Sequence, residues 1–328
     1  MVEKKVRANI SEEIALKRKK FTLGSGWGVF LVFVAECIIL SILSPYFLKV
    51  SNIFNVLKSI SFIGITSIGM TMLIITGAFD LSVGSVAGLG GMVTAALITK
   101  VGVNPVLSLL TGIATGIFIG FFMATLVNKL GINAFIVTLG MLSIARGFTY
   151  LIAKGSNIFI KSKGILFLGQ GYLGKVPVPV ILMAILVVIG SLFLRFTVFG
   201  RYIYAVGGNE RAARLAGIQV NKIRLIVFMI CSSLAAFSGI VVAGMLGSAE
   251  MTAGTGLELD VIAAVIIGGT SLSGGKGTVV GSLIGAAIMG VLRNGFVLLG
   301  IPYEVQVISI GVVIILAVVF DSLKSKRR

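Results

Sequence analysis

The sequence predicts an all-α polytopic membrane protein of about ten crossing segments, and three observations carry that prediction. The 328-residue chain is 57% hydrophobic and only 12% charged, with a mean hydropathy of +1.11. A soluble domain carries about twice that charged fraction, and no core hides so much apolar side chain. Long windows free of charge recur along the chain. The 28 Lys+Arg, against 11 Asp+Glu for a net charge of +17, gather in short segments between those windows. Such clustering suits membrane topology, and with no aromatic-plus-basic module it speaks against a nucleic-acid partner.

Taken in order, residues 1–26 read as a basic cytoplasmic tail, 27–322 as one membrane domain in contact with lipid, and 323–328 as a second basic cytoplasmic tail. The first apolar run, Trp27–Phe47, exceeds a signal-peptide core of about 7–15 residues and lacks a small-residue cleavage site after it. It reads as an uncleaved span. Charge-free windows follow at Ser59–Phe79, Leu81–Thr99, Val101–Asn128, Leu130–Ala145, Val176–Leu194, Leu225–Ala249, Val261–Gly275, Thr278–Leu292 and Val305–Phe320. Several approach the roughly 20 residues a crossing helix needs, and the shorter ones read as extended spans or half-helices. Glycine-rich ends widen the expected count to about eight to eleven.

Orientation follows Lys/Arg bias. The first twenty residues hold seven Lys/Arg, Arg195–Arg224 holds six with one acid, and the C-terminus reads KSKRR. Placing all three in the cytoplasm requires an even number of spans, which ten satisfies. That parity puts Lys154–Lys175, with four lysines and no acid, on the outside against the charge rule. The 43 glycines suit a tightly packed bundle with interrupted helices. GAFDLSVG (77–84) and GGTSLSGG (268–275) share four identities, Gly77, Leu81, Ser82 and Gly84 with Gly268, Leu272, Ser273 and Gly275, a faint internal echo of the kind transporters carry.

The stretch GTGLELDVIAAVIIGGTSLSGGKGT (254–278) invites a nucleotide-loop reading that fails. A phosphate loop needs a first glycine where Thr270 stands and a hydroxyl where Gly277 stands. We expect instead a half-helix, a glycine turn near Ser273–Gly277 and a span from about Thr278. The chain has no histidine, and Cys37 and Cys231 lie alone in apolar runs, so neither a metal site nor covalent catalysis is expected. Asp80 stands between two charge-free windows. An ionisable group at membrane depth is costly and functional by default, and Asp80 also suits capping of the helix start near Val83 through the amides of Ser82 and Gly84. Glu258 and Asp260 lie two apart, so they face different sides of a helix, where they would favour its N-terminus. Arg146 is expected near the outer end of its span, able to snorkel, and Asn133, Thr138 and Asn294 to hydrogen-bond neighbouring helices. Glu36 and Arg293 are further polar groups at membrane depth. Asp80, Ser82, Asn133, Thr138, Glu258, Asp260 and Asn294 are the candidates for a translocation pathway or gate.

Between Arg201 and Arg224, Gly207 and Gly208 suggest a flexible turn, Asn209 an N-cap, and Gly217 the stop of a short helix. GMTMLIITGAFDLSVGSV (69–86), FIVTLGMLSIARG (135–147), VGGNERAARLAGI (206–218), LELDVIAAVIIGGTSLSGGKGTVVGSLIGA (257–286) and VLRNGFVLLGI (291–301) resemble the membrane permease of bacterial ribose-type sugar ABC importers. That binding-protein-dependent family includes branched-chain amino acid permeases. The resemblance runs in order from about Asn52 to Phe320. It implies a permease dimer, of like or unlike subunits, in the bacterial inner membrane. A cytoplasmic ABC ATPase would consume the ATP, an extracytoplasmic sugar-binding protein would deliver cargo, and no cofactor would be bound directly. It also implies an E-A-A-x-x-x-G docking loop, which Ala212, Ala213 and Gly217 fit, with Glu210 one place early. Gly207, Gly208, Asn209, Glu210, Ala212, Ala213 and Gly217 are therefore the expected ATPase-coupling residues. The rival readings are the same architecture for branched-chain amino acids, nucleosides or a furanosyl signalling molecule, an ion-coupled secondary transporter, and an intramembrane enzyme.

Overall fold

A computed structural model describes residues 25–326, so most of the N-terminal tail lies outside the described residues. The elements run α1 Ser25–Leu43, α2 Val50–Ile75, α3 Val83–Ala96 with a π turn Leu97–Val101, α4 Pro105–Leu130, α5 Ala134–Ala153, β1 Ile158–Phe159 and α6 Lys163–Gln170. They continue through β2 Tyr172–Leu173, β3 Val176–Pro177, α7 Val178–Phe196, α8 Val198–Gly208, α9 Glu210–Leu215, α10 Val220–Leu246, β4 Ser248–Ala249, α11 Leu257–Ile267, α12 Val279–Leu298 and α13 Tyr303–Lys326. Seven of these stretches (α2, α3 with its π turn, α4, α5, α7, α10 and α12) are long and apolar enough to cross a membrane, and Gly28–Leu43 and Tyr303–Val319 add shorter apolar helices.

Helix ends obey local chemistry. Asn104, Asn133, Thr197, Asn209 and Thr278 cap α4, α5, α8, α9 and α12 through their side-chain oxygens, each satisfying an otherwise orphaned amide. The α2 window is corrected at its start: the helix begins nine residues earlier than Ser59, because Lys58 does not break it. The Lys58 ammonium reaches the Tyr172 hydroxyl at 3.0 Å instead.

Helix α10 is the centre of the bundle. Thr66 meets Ser238 and Gly69 meets Cys231, so α2 runs antiparallel to it. Gly112, Gly116 and Gly120 place α4 against Ile240, Ser232 and Phe228, again antiparallel. A side chain at any of the three would collide, which is how small residues let membrane helices approach. The inter-helix hydrogen bonds Thr66–Ser238 (2.9 Å), Thr71–Ser282 (2.7 Å) and the reciprocal Asn52–Asn294 amides (3.0 and 2.8 Å) contribute about 0.6 kcal/mol each. Their sum is near 2 kcal/mol, so close packing carries most of the cohesion.

Two ends follow from these directions. The lobe end holds residues 154–177, folded as β1, α6 and the β2–β3 hairpin, with β1 paired to β4. The clamp end holds α8 and α9. Helix α11 has 11 residues, about 16 Å of rise, too short for a bilayer core of about 30 Å. Non-helical residues 250–256 precede α11, which is the expected half-helix.

Candidate functional site

Two helices start in the middle of the bundle. The chain leaves α2 at Gly77, whose φ of +83° stops the helix, and turns back to begin α3 at Val83 beside the centre of α10. Asp80 is fully buried there. Its Oδ1 accepts from the Ser82 amide at 2.7 Å and the Ser82 hydroxyl at 2.6 Å, and the Ser232 hydroxyl lies 3.5 Å from Oδ2. The expected amide bond to Ser82 is present. Ser82 is itself the N-cap residue, and it is 0% exposed.

The second start is α11. Gly84 of α3 packs on the Gly254 carbonyl and the Glu258 carboxylate, bringing both helix N-termini to one seam. Each N-terminus carries partial positive charge, and each meets carboxylate here. Asp260, on the other side of α11, is 6% exposed and pairs with Arg293 of α12 at 2.7 Å. Glu258 and Asp260 therefore face different neighbours, as their spacing requires. Arg146 is corrected. It lies well inside α5, which extends to Ala153, and donates to the Met251 and Ala253 carbonyls at 3.0 and 2.7 Å rather than reaching the surface. It thereby satisfies carbonyls that the unwound 250–256 segment leaves without helical partners. Asn294 reaches a neighbouring helix as expected, pairing with Asn52, but Thr138 and Asn133 are corrected: Thr138 is buried and donates to the Phe135 carbonyl of its own helix at 3.3 Å, and Asn133 caps that same helix, because each finds a backbone partner within one turn. Glu36 lies half-buried in α1 with one carboxylate oxygen unpartnered among the described residues.

At the clamp end the glycine-rich loop closes on α8. Gly274, Gly275 and Gly277 have φ of +81°, +71° and +157°. The Gly275 amide donates to the Ile75 carbonyl at 2.9 Å, and Tyr204 donates its hydroxyl to the Gly277 carbonyl at 2.8 Å. Gly207 fits between them: a Cβ there would fall on the Ile75 carbonyl oxygen. Gly207 and Gly208 are thus corrected from a flexible turn to the last turn of α8. The backbone approach demands glycine, and Gly208 Cα seats against Gly275.

Helix α9 follows at once. Asn209 accepts from the Ala212 amide at 3.0 Å and Gly217 ends the helix at φ +80°, both as expected. Glu210 bridges Arg214 (2.8 Å) and Arg224 (2.6 Å), tying α9 to the start of α10. The Arg214 hydrogen bond lowers the Glu210 carboxyl below its ordinary range, partial burial opposes this, and Arg224 adds to the lowering. Ala213 is 5% exposed and packs into the protein's own core, whereas Leu215 is 90% exposed. The open face is Arg211, Ala212, Leu215 and Ala216.

The helix stops do not single out the internal echo. Gly77 and Gly269 end α2 and α11 with the same pair of bonds: Gly77 to Ile74 and Ala78 to Leu73, Gly269 to Ile266 and Thr270 to Val265. Gly217 ends α9 and Gly300 ends α12 with the same pair, and at α11 the stop falls one residue beyond the sequence identities.

A long apolar helix array with two mid-bundle helix starts is the anatomy of a transport pathway, and comparison with known proteins decides the family. The family described as "Branched-chain amino acid transport system / permease component" matches residues 52–318. The chain belongs to that permease family. This permease is 45% identical over 290 residues to ribose import permease protein RbsC of Escherichia coli K12, covering 87% of this chain and 90% of that protein. It is 41% identical to RbsC of Bacillus subtilis 168, covering 91% and 93%. It is 34% identical to the L-arabinose transport system permease protein AraH of E. coli K12, covering 95% of each. No solved structure matches it. As a multi-pass membrane permease it is a transport subunit.

Proposed function

We propose that the permease forms the translocation pathway of an ATP-driven importer for a ribose-like monosaccharide, as a homodimer or heterodimer coupled to a separate cytoplasmic ATPase. One observation carries the reading: the mid-bundle seam of Asp80, Gly84 and Glu258 is linked through a backbone clamp to a capped, exposed helix. Three charges in and around the seam are answered within the protein, Asp260 by Arg293, Asp80 by Ser82, and Arg146 by two carbonyls. A site of that kind suits a neutral polyhydroxyl cargo that must be released, better than a charged amino acid. Homology to ribose and arabinose permeases supports the same cargo class.

The clamp end faces the cytoplasm, where α9 presents Leu215 to the ATPase. Counting residues 250–267 as one crossing gives ten, with both termini cytoplasmic and the 154–177 lobe outside. The protein binds no ATP itself. Closure of the ATPase pair pushes α9, the push passes through Gly207–Gly208 to Gly274–Gly275, and α11 moves with the loop that follows it. Asp80, Ser82, Glu258 and Asp260 shape the gate, and Asn294 ties α12 to α2 beside it, whereas Asn133 and Thr138 act within α5.

Leu215→Glu tests the assignment. Ala213→Arg would strike the permease's own core, whereas Leu215 touches little of it. We expect uptake to fall about tenfold or more, as loss of an interface anchor does, with less ATPase co-purifying and no loss of permease stability. Normal uptake with full ATPase retention would refute the coupling role. Single cysteines at positions 209 and 162, in a background lacking Cys37 and Cys231, test orientation: labelling of 209 from outside intact cells would overturn it.

A further inference from the structure

Helices α4 and α5 are held to the bundle by different devices. Gly112, Gly116 and Gly120 draw α4 against α10, whereas Arg146 fastens α5 to the 250–256 segment beside Gly88 of α3. Between them the two helices leave a cavity of about 430 Å³. Leu89 and Val93 of α3 floor it, and Phe118 and Phe122 of α4 face Ile144 and Phe148 of α5 across it. The rim side chains Phe118 and Phe148 are 67% and 53% exposed, so the cavity opens on the outer surface of the bundle. The one polar side chain lining it among the described residues is Thr115, whose hydroxyl donates to the Thr111 carbonyl of its own helix at 2.9 Å. Water does not fill an apolar cavity at membrane depth, and an empty one forfeits the contacts of every wall.

Depth and charge select the occupant. On α5 the lining runs from Met141 to Ile152, a rise of about 16 Å. That is half of a hydrocarbon core of about 30 Å, the depth of one leaflet. The far end lies where α5 reaches the bundle surface. There the Lys100 ammonium donates to the Ile152 carbonyl at 2.8 Å, which engages one of its three N–H donors. Lys154, the C-cap residue of α5, is exposed beside it, and its ammonium makes no ion pair or hydrogen bond among the described residues.

We propose that the cavity between α3, α4 and α5 seats a resident anionic phospholipid, one acyl chain lying along α5 from Ile152 to Met141 and the phosphate meeting Lys100 and Lys154. The inference stands apart from the importer reading, since it follows from the membrane setting and these residues alone. Ala145 is fully buried in the cavity wall and precedes Arg146, so an occupied cavity steadies the turn of α5 that holds 250–256. A second copy of the permease is the competing occupant. Meeting this face about a two-fold axis, it would bring its own Lys100 and Lys154 to the same depth, whereas an anionic headgroup neutralises them.

The test is native mass spectrometry of the full transporter in detergent, with phosphatidylglycerol or phosphatidylcholine added in turn. The parent should retain about one phosphatidylglycerol per permease chain and bind it about tenfold or more tighter than phosphatidylcholine. Thr115→Phe and Ile144→Trp fill the cavity from opposite walls, and each should lose the retained lipid. Added phosphatidylglycerol should raise the thermal midpoint of the parent and of neither filled variant. Lys100→Gln with Lys154→Gln should bind the two lipids alike. Equal binding of both lipids by the parent overturns the headgroup assignment, and full lipid retention by both filled variants overturns the cavity as its seat. Loss of the paired permease mass in those variants, with bound lipid unchanged, would give the face to a second copy instead.

Discussion

Residues 250–278 are held at both ends, and the two holds differ in kind. At the clamp end the contacts are backbone on backbone, with Gly207, Gly208, Gly274 and Gly275 against one another and the Ile75 carbonyl. At the lobe end the contacts are a two-residue ladder, the Asn157 side chain and the reach of Arg146. Close-packed backbone transmits displacement with little give, because packed interfaces do not deform continuously. A short polar ladder at a solvent-facing end has weaker bonds and can exchange with water. The comparison teaches that the end assigned to the ATPase is built as a stiff joint, and the opposite, lobe end as an adaptable one.

The strongest break falls between the two holds. Arg293→Ala leaves Asp260 buried without its partner and should destabilise the permease by about 3–5 kcal/mol. Gel-filtration recovery after heating in detergent measures it, and Asp260→Asn with Arg293→Gln should restore much of the loss. Next comes the stiff joint. Gly207→Val should cost about 2–3 kcal/mol through overpacking, with uptake lost in whatever folded protein remains. Full activity there would mean that the clamp does not transmit. At the adaptable end, Asn157→Ala should cost about 1 kcal/mol, the loss of one partly exposed hydrogen bond, and equal damage at both ends would erase the contrast.

The smallest effect belongs to Glu210→Gln, about 0.5 kcal/mol because the ion pairs are largely solvent-exposed. Its sign with pH is defined. The folded Glu210 carboxyl lies below its unfolded value, so its stabilisation is complete above the ordinary carboxylate pKa and fades as pH falls through the lowered one. The parent should lose its advantage over Glu210→Gln on acidification, and a constant gap in melting temperature across that window would contradict the pairing.

Much of the clamp-end geometry was legible, because caps and stops are local. Asn209 and Gly217 bracket α9 within nine residues, and Ser273–Gly277 announces a turn by composition. Arg146 and Gly207 were misread for the same physical reason. Their roles are set by carbonyls far away in the chain, Met251 and Ala253 for one and Ile75 for the other. The spacing of Gly112, Gly116 and Gly120 was a signal in plain view for the α4–α10 contact, since small residues four apart mark a helix face made for close approach.

By itself the sequence determined the solvent, the helical class, the half-helix before the glycine turn and the permease family, because hydropathy, capping and turn chemistry act over a few residues and family motifs are linear. Only the tertiary structure decided which mid-bundle charges answer one another, that Ala213 faces inward and Leu215 outward, and that 250–278 is gripped from both ends. Those facts depend on contacts between positions tens to hundreds of residues apart, and no local spacing encodes which backbone carbonyl a distant glycine or arginine will meet.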